Sequence, residues 1–317
     1  MPFDIENVRF PSGTGACSGT LYRPAPDRVT GAGVVLAHGF GGVQVGGLQR
    51  FAIPFSEAGL TALTFDFRHF GDSSGEPRQL IDMRRQLEDW RSAIAHIRTI
   101  DEVDPARLAL WGFSLSGGHV HVIAAGDSDV AACVALAPVV DGRSASFAGG
   151  IGHALRCTAA ATRDVMRAAT RRGEFRIRIV GDPGGPLAAS EADGLVASVN
   201  RLAPDGFEWD NSMPARSIRR LPYYRPIRFA KRLQAPILYC LADEDVMAQS
   251  AAARKAAARA PYAEVKSYGC EHFDLFCSPV LEQVVEDQVE FLGRCLQVPT
   301  APVRPNGRAR RRTRTTP

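Results

Sequence analysis

An α/β architecture, with a mainly parallel sheet covered by helices on both faces, is the fold class this sequence predicts. Three observations carry that expectation. Short apolar runs alternate with helical patterns along most of the chain. Several of those runs are continuously apolar, as strands buried on both faces require. Finally, one serine stands where an apolar run passes at once into a small-residue helix, at Gly112-Phe113-Ser114-Leu115-Ser116-Gly117-Gly118.

The elements follow in order. Phe3–Phe10 and Ala16–Arg23 alternate and read as an antiparallel hairpin. Gly33–His38 is a buried strand, Leu48–Ala58 a short helix and Thr61–Asp66 the next strand. Residues 79–99 form an amphipathic helix, because Met83, Leu87, Trp90, Ile94 and Ile97 recur at spacings of 4, 3, 4 and 3. Arg107–Trp111, Ala131–Ala137, Pro236–Leu241 and Ala263–Tyr268 are further strands; Leu115–Ala125, Ser250–Arg259 and Pro279–Leu296 are helices between and after them. From about Gly142 to Arg228 the rhythm breaks. Insertions of that length are usually functional. The expected organisation is a core of residues 1–141 and 229–297, a cap of residues 142–228 over the carboxyl edge of the sheet, and a tail of residues 298–317.

Charge is unevenly placed. The net charge of +4 comes from 38 basic and 34 acidic residues. Six arginines lie in the tail (Arg304, Arg308, Arg310, Arg311, Arg312 and Arg314), so the body carries 32 against 34. The tail, rich in Pro, Thr, Arg and Gly, is expected to be disordered. It offers no aromatic ring to stack on a base, so no nucleic-acid partner is expected. The first ten residues do not read as a signal peptide, and no segment approaches the roughly 20 apolar residues that span a bilayer. Seven scattered cysteines without a CxxC pair point to free thiols in a reducing cytoplasm, with neither a disulfide framework nor a metal site. A homo-oligomer is left open.

The strict G-x-S-x-G match, Gly71-Asp72-Ser73-Ser74-Gly75, reads as a decoy, since no helix follows it. Its cysteine analogue, Gly15-Ala16-Cys17-Ser18-Gly19, lies inside the hairpin. Ser114 is the better nucleophile. Strand and helix meet closely there, which needs small residues two before and two after the serine; Gly112 and Ser116 supply them.

A serine hydroxyl needs a base, and the base needs an orienting acid. Beyond the elbow helix only His153 and His272 remain, and His272 follows the last strand directly. His119 and His121 lie on the elbow helix and read as structural, His69 as a local hydrogen-bonder and His96 as lying on an exposed helix face. Asp243, Glu244 and Asp245 follow the strand at Pro236–Leu241; Asp245 is favoured over Asp243, and Asp141 is the alternative after the preceding strand. The oxyanion donors expected are the backbone N–H groups of Phe40, in His38-Gly39-Phe40-Gly41-Gly42, and of Leu115. His38 is expected to brace that loop.

Together AHGFGG (37–42), D-x-R-x-x-G-x-S-x-G (66–75), GFSLSGG (112–118), ADEDVM (242–247) and CEHFD (270–274) resemble the serine α/β-hydrolases, in the bacterial group of dienelactone-hydrolase-like and X-Pro-peptidase-like enzymes. The resemblance covers about residues 15–296. It implies an eight-stranded, mostly parallel α/β-hydrolase sheet with an inserted cap, a triad of Ser114, Asp245 and His272, and no cofactor. Ser116 replaces the second elbow glycine, and Gln249 stands where a proline is usual. Dienelactone hydrolases proper use cysteine.

The expected activity is hydrolysis of a small-molecule carboxylic ester or thioester through an acyl-enzyme. The alternatives are an acyltransferase or cyclising enzyme, a peptidase, and a non-catalytic binder. The cap aromatics (Phe207, Trp209, Tyr223, Tyr224) are expected to form cap core, and Arg171, Arg172, Arg176 and Arg178 a solvated face.

Overall fold

The computed structural model describes residues 3–204, 206–248 and 250–298. Strands β1 (Phe3–Ser12) and β2 (Gly15–Pro24) form the antiparallel hairpin that opens the chain. There follow β3 (Gly33–Ala37), α1 (Gln49–Glu57), β4 (Thr61–Phe65), α2 (Met83–Ile97), β5 (Leu108–Phe113), α3 (Leu115–Ala124) and β6 (Val130–Leu136). After an insertion the chain returns as β10 (Ile237–Ala242), α7 (Ser250–Ala257), β11 (Ala263–Tyr268) and α8 (Val280–Leu296). The eight strands lie in the order β1-β2-β4-β3-β5-β6-β10-β11. From β4 to β11 the neighbours are parallel; β1 and β2 are the antiparallel exception at one edge.

The sheet is buried on both faces, and its side chains alternate between two layers. Val35, Leu63 and Leu110 point into the layer that holds α2 and α3, with Trp90 and Val120. Val34, Leu36 and Trp111 point into the layer that holds α1 and α8, with Phe51 and Phe291. That is why β3 to β5 are apolar at nearly every position. α2 begins later than the helical spacing predicts. Gln79 takes a positive φ of 62°, which no helix continues, and the Asp82 carboxylate caps the helix by accepting from the Arg84 and Arg85 N–H groups. His96 corrects an expectation. It is half-buried rather than on an exposed face, its ring stacked on Phe10 at 5.1 Å.

The insertion between β6 and β10 contains α4 (Gly142–Ser146), the long α5 (Gly150–Ala169), β7 (Arg176–Gly181), β8 (Ala188–Glu191), α6 (Leu195–Asn200) and β9 (Met213–Pro214). Its strands make a separate three-stranded sheet, β8-β7-β9; β7 alternates as Arg176-Ile177-Arg178-Ile179, while β8 and β9 are too short to show a period in sequence. Ile177, Ile179, Leu195 and Met213 of the insertion belong to the same apolar cluster as the α2/α3 layer. The insertion is therefore joined to the core through apolar contact. The expectations for the tail residues beyond Val298 and for Gln249 lie outside the described residues.

Candidate active site

At the end of β5 the chain turns sharply into α3. Ser114 occupies the turn with φ 55° and ψ −116°, a conformation that side-chain-bearing residues rarely take. The surrounding packing holds it there. Its N–H donates to Leu136 O (2.9 Å), and its carbonyl accepts from the Val139 N–H (2.9 Å). Gly112 explains why small residues are needed. A Cβ there would stand 2.2 Å from Ser116 O. Ser116 is fully buried and donates its hydroxyl to the His38 carbonyl, which ties the elbow to the loop after β3. That loop comes so close that a Cβ on Gly39 would lie 2.6 Å from Ser114 Cβ.

His272 and Asp245 come together from the loops after β11 and β10. His272 Nδ1 lies 2.6 Å from Asp245 Oδ2, and both side chains are almost wholly buried. The second Asp245 oxygen accepts from the Met247 and Ala248 N–H groups, both at 2.8 Å. Burial alone would raise the Asp245 carboxyl. The charge and hydrogen bond of His272, with the two backbone donors, outweigh burial and hold it below the ordinary carboxylate range. The imidazole packs on Phe113 at 4.7 Å and stands edge-on to Phe273. Its other nitrogen, Nε2, is buried with no hydrogen-bond partner among the described residues.

The competing residues are engaged elsewhere. Asp243 is part-exposed and pairs with Arg254 (2.7 Å). Asp141 caps α4 and holds Arg225 through both oxygens. Ser73 and Ser74 of the strict motif brace β2. Ser73 Oγ donates to Asp66 O and accepts from the Ser18 N–H, while the Ser74 hydroxyl accepts from the Ala16 N–H. Cys17 is wholly buried, and burial raises its thiol far above the ordinary range. His69 bonds locally, to Pro77 O and to Arg85. Under the elbow, His119 meets Tyr224 OH and Gln86, and His121 meets Tyr239 OH at 2.6 Å. Burial drives His119 down to about 3 and His121 to about 4, so both are neutral polar pieces of the core. His153 lies on α5 and is engaged with Glu191 and Cys157.

The loop after β3 is braced from three sides. His38 Nε2 lies 2.8 Å from Gly46 O; burial lowers its pKa to about 4, so it is a neutral donor. Asp66 Oδ1 accepts from the Gln44 N–H at 2.7 Å. From the insertion, the Trp209 indole N–H donates to Gly41 O at 3.0 Å. Trp209 corrects the expectation that the insertion's aromatics form its own core. Trp209 and Phe207 instead wall a cavity of about 60 Å³ that contains Ser114, beside Phe40, Ile179, Leu202 and Met247. The one local signal was a tryptophan set among polar residues, Glu208-Trp209-Asp210-Asn211. Tyr224 is half-buried against His119, whereas Tyr223 is 83% exposed. Arg171, Arg172 and Arg178 are exposed as expected; Arg176 is half-buried and pairs with Glu174 at 2.6 Å.

Asp66 gives a measurable pH effect. Burial raises its carboxyl to about 6, and the Gln44 donors only partly offset that. A raised folded-state pKa means that the folded protein binds the extra proton, so this group's contribution falls as pH rises from about 4 to about 6. The buried histidines work in the opposite direction, so a difference measurement is needed. Asp66→Asn is expected to gain stability relative to the parent across that window, by up to about 3 kcal/mol. Urea unfolding of both proteins at either end of the window checks this; a pH-independent difference would refute it.

The seven cysteines are free thiols. Among the described residues no cluster of three His, Cys, Asp or Glu side chains could hold a metal ion. Among the same residues no helix is long and apolar enough to cross a membrane.

A mostly parallel sheet, a strained serine at a strand-to-helix turn and a carboxylate-held histidine at the same edge define a hydrolase class. The chain belongs to the alpha/beta hydrolase family, whose model matches residues 34–286. It is 37% identical to the quorum-quenching protein AidA of Acinetobacter baumannii, over 92% of this chain and 95% of the relative. It is 26% identical to the polyketide transferase claH of Penicillium crustosum, over 93% of this chain and 99% of the relative. The crystal structure of the alpha/beta hydrolase GrgF from Penicillium sp. sh18 superposes with a TM-score of 0.78, over 93% of this chain and 99% of that chain. At 21% identity this last likeness speaks for the fold alone.

Proposed function

We propose that this protein is a serine hydrolase that cleaves a carboxylic ester or thioester with an apolar acyl part, through an acyl-enzyme formed on Ser114. One observation carries the reading: His272 is held by Asp245 at 2.6 Å through Nδ1 and keeps Nε2 unpartnered, at the sheet edge where strained Ser114 opens into an apolar cavity. In the proposed step Ser114 Oγ attacks the acyl carbon while His272 Nε2 takes its proton. The carbonyl oxygen becomes an oxyanion, received by the N–H groups of Phe40 and Leu115; Leu115 opens α3, where backbone donors lack helical acceptors. The alcohol or thiol departs with the proton from His272. Water, deprotonated by the same imidazole, then attacks the acyl-enzyme and releases the acid. Asp245 stays ionised and fixes the tautomer. Free thiols suit a reducing compartment, and the cytoplasm is the proposed location.

The test is labelling with a fluorophosphonate probe followed by a panel of p-nitrophenyl esters of increasing chain length. Ser114 is expected to carry the label, and kcat/KM to peak at an intermediate aliphatic chain. Absence of label on Ser114 would refute the reading.

Trp209→Phe keeps the ring in the cavity wall and removes the donor to Gly41 O. A kcat loss of about tenfold to a hundredfold is expected, with KM little changed, because a loosened loop misplaces the Phe40 N–H. A change confined to KM would show that Trp209 only lines the cavity.

Acyl transfer is the second reading. It is favoured by the apolar side chains of Ile179, Phe207 and Trp209 that line the cavity at Ser114, and by the likeness to a polyketide transferase. Product analysis with and without an added alcohol or amine separates the two: free acid as the dominant product in both is the expected result.

A further inference from the structure

A second, larger cleft of about 970 Å³ lies within the insertion, between α4, α5 and the 3-10 segment Ala215–Tyr223. It shares a wall with the cavity at Ser114. On β8, Ala189 lines the cleft, and the next residue, Ser190, lines the cavity. Five arginines line the cleft: Arg143, Arg219, Arg220, Arg225 and Arg228. Among the described residues, no Asp or Glu lines it.

The nearby carboxylates are already taken. Asp141 is held by Arg225 through both oxygens. Glu191 receives Arg156 and His153, and its other oxygen accepts from the Ala188 N–H. Elsewhere in the insertion arginines find acids, as Arg176 does with Glu174 and Arg216 with Asp164. Among the described residues, Arg143, Arg219, Arg220 and Arg228 form no ion pair. Like charges gathered on a concave surface focus a positive potential there. Guanidinium forks match phosphate oxygens two at a time.

Two further features narrow the ligand. The volume falls in the range of small-molecule and cofactor sites, far above what one phosphate needs. Phe147 and Tyr223 line the same cleft, and the two residues are 49% and 83% exposed. Exposed rings beside unpaired arginines suit a ligand with a flat ring at one end and phosphates at the other.

We infer that this cleft binds a nucleoside diphosphate moiety, its phosphates on the unpaired arginines and its base against Phe147 or Tyr223. That chemistry belongs both to free nucleotides and to the nucleotide end of coenzyme A. The site goes beyond the proposed hydrolysis and does not depend on Ser114.

Isothermal titration calorimetry on the full chain tests it with ADP, coenzyme A, adenosine and inorganic pyrophosphate. ADP is expected to saturate one site, more tightly than adenosine or pyrophosphate alone. Tighter coenzyme A than ADP would support the acyl-carrier source, and tighter ADP the free nucleotide. Arg143→Ala with Arg220→Ala is expected to weaken ADP by about a hundredfold, or about tenfold per arginine. Tyr223→Ala with Phe147→Ala is expected to weaken ADP and leave pyrophosphate unchanged. Arg171→Ala with Arg172→Ala removes the same charge outside the cleft, and affinity should stay within about twofold. These side chains are exposed, and unchanged circular dichroism would verify folding. No ADP heat at low salt, or equal weakening by the two arginine pairs, would overturn the inference.

Discussion

Replacing Ser114 by alanine is expected to lower turnover of a short p-nitrophenyl ester by about 10⁴-fold or more. In the proposed mechanism the hydroxyl is the atom that bonds the acyl carbon, and the other candidate nucleophiles the sequence offers are engaged elsewhere. Ser73 and Ser74 are tied to the backbone of β2, and Cys17 is buried with its thiol pushed far up. Folding should survive. The elbow is held by backbone hydrogen bonds from Ser114 N–H and to Ser114 O, which alanine keeps. The variant should therefore show the parent's circular dichroism and thermal transition with no fluorophosphonate labelling. Retained esterase activity in a folded variant would mean that the chemistry lies at another residue.

The second large effect is expected at Asp245. Asp245→Asn should lower kcat by about 10⁴-fold, with KM nearly unchanged. An amide in that position can donate to Nδ1 and so favour the tautomer whose Nε2 carries the proton, leaving no base toward Ser114. It also removes the negative charge that stabilises the imidazolium. Asp243→Asn is the matched control. Asp243 pairs with exposed Arg254 and should show parent activity within about twofold, the usual scale for a surface ion pair. The carboxyl's low pKa has a stability consequence with a definite sign. A depressed folded-state value contributes stability that is present above the ordinary carboxylate pKa and lost as pH falls through the folded value. The parent should lose that contribution in acid, and Asp245→Asn should not. Equal kcat losses at Asp243 and Asp245 would refute the assignment.

The order of elements was readable because each signal is local. Continuous apolar runs mark strands buried on both faces, and the spacing from Met83 to Ile97 marks one face of a helix. The elbow was readable because close approach leaves a trace in residue size: Gly112 and Ser116 are small where a Cβ on Gly112 would strike the Ser116 backbone. The strict motif at 71–75 misleads for the same reason. Its glycines serve a loop with positive φ at Gly71 and Gly75, a different local need met by the same residue type.

Where the needed information is not local, sequence falls short. Asp243 and Asp245 are alike in type and two residues apart; only the path of the turn after β10 sends Asp245 to His272 and Asp243 to solvent. The half-burial of His96 depends on β1 laying Phe10 beside it, a contact across more than 80 residues of chain. The insertion was hardest, because its strands are short and its sheet is small. No period distinguishes Trp209 over the Ser114 cavity from an aromatic in the insertion's own core.

The sequence by itself determined the sheet, the elbow, the position of the proposed base after the last strand, and the separation of tail charge from body charge. Those depend on burial periodicity, residue size and chain order, which are written along the chain. Only the tertiary structure decided which acid meets His272, what lines the cavity at Ser114, and that four arginines with no ion pair among the described residues share one cleft. Those depend on which distant segments the folding of the insertion brings face to face, and one-dimensional spacing does not encode that.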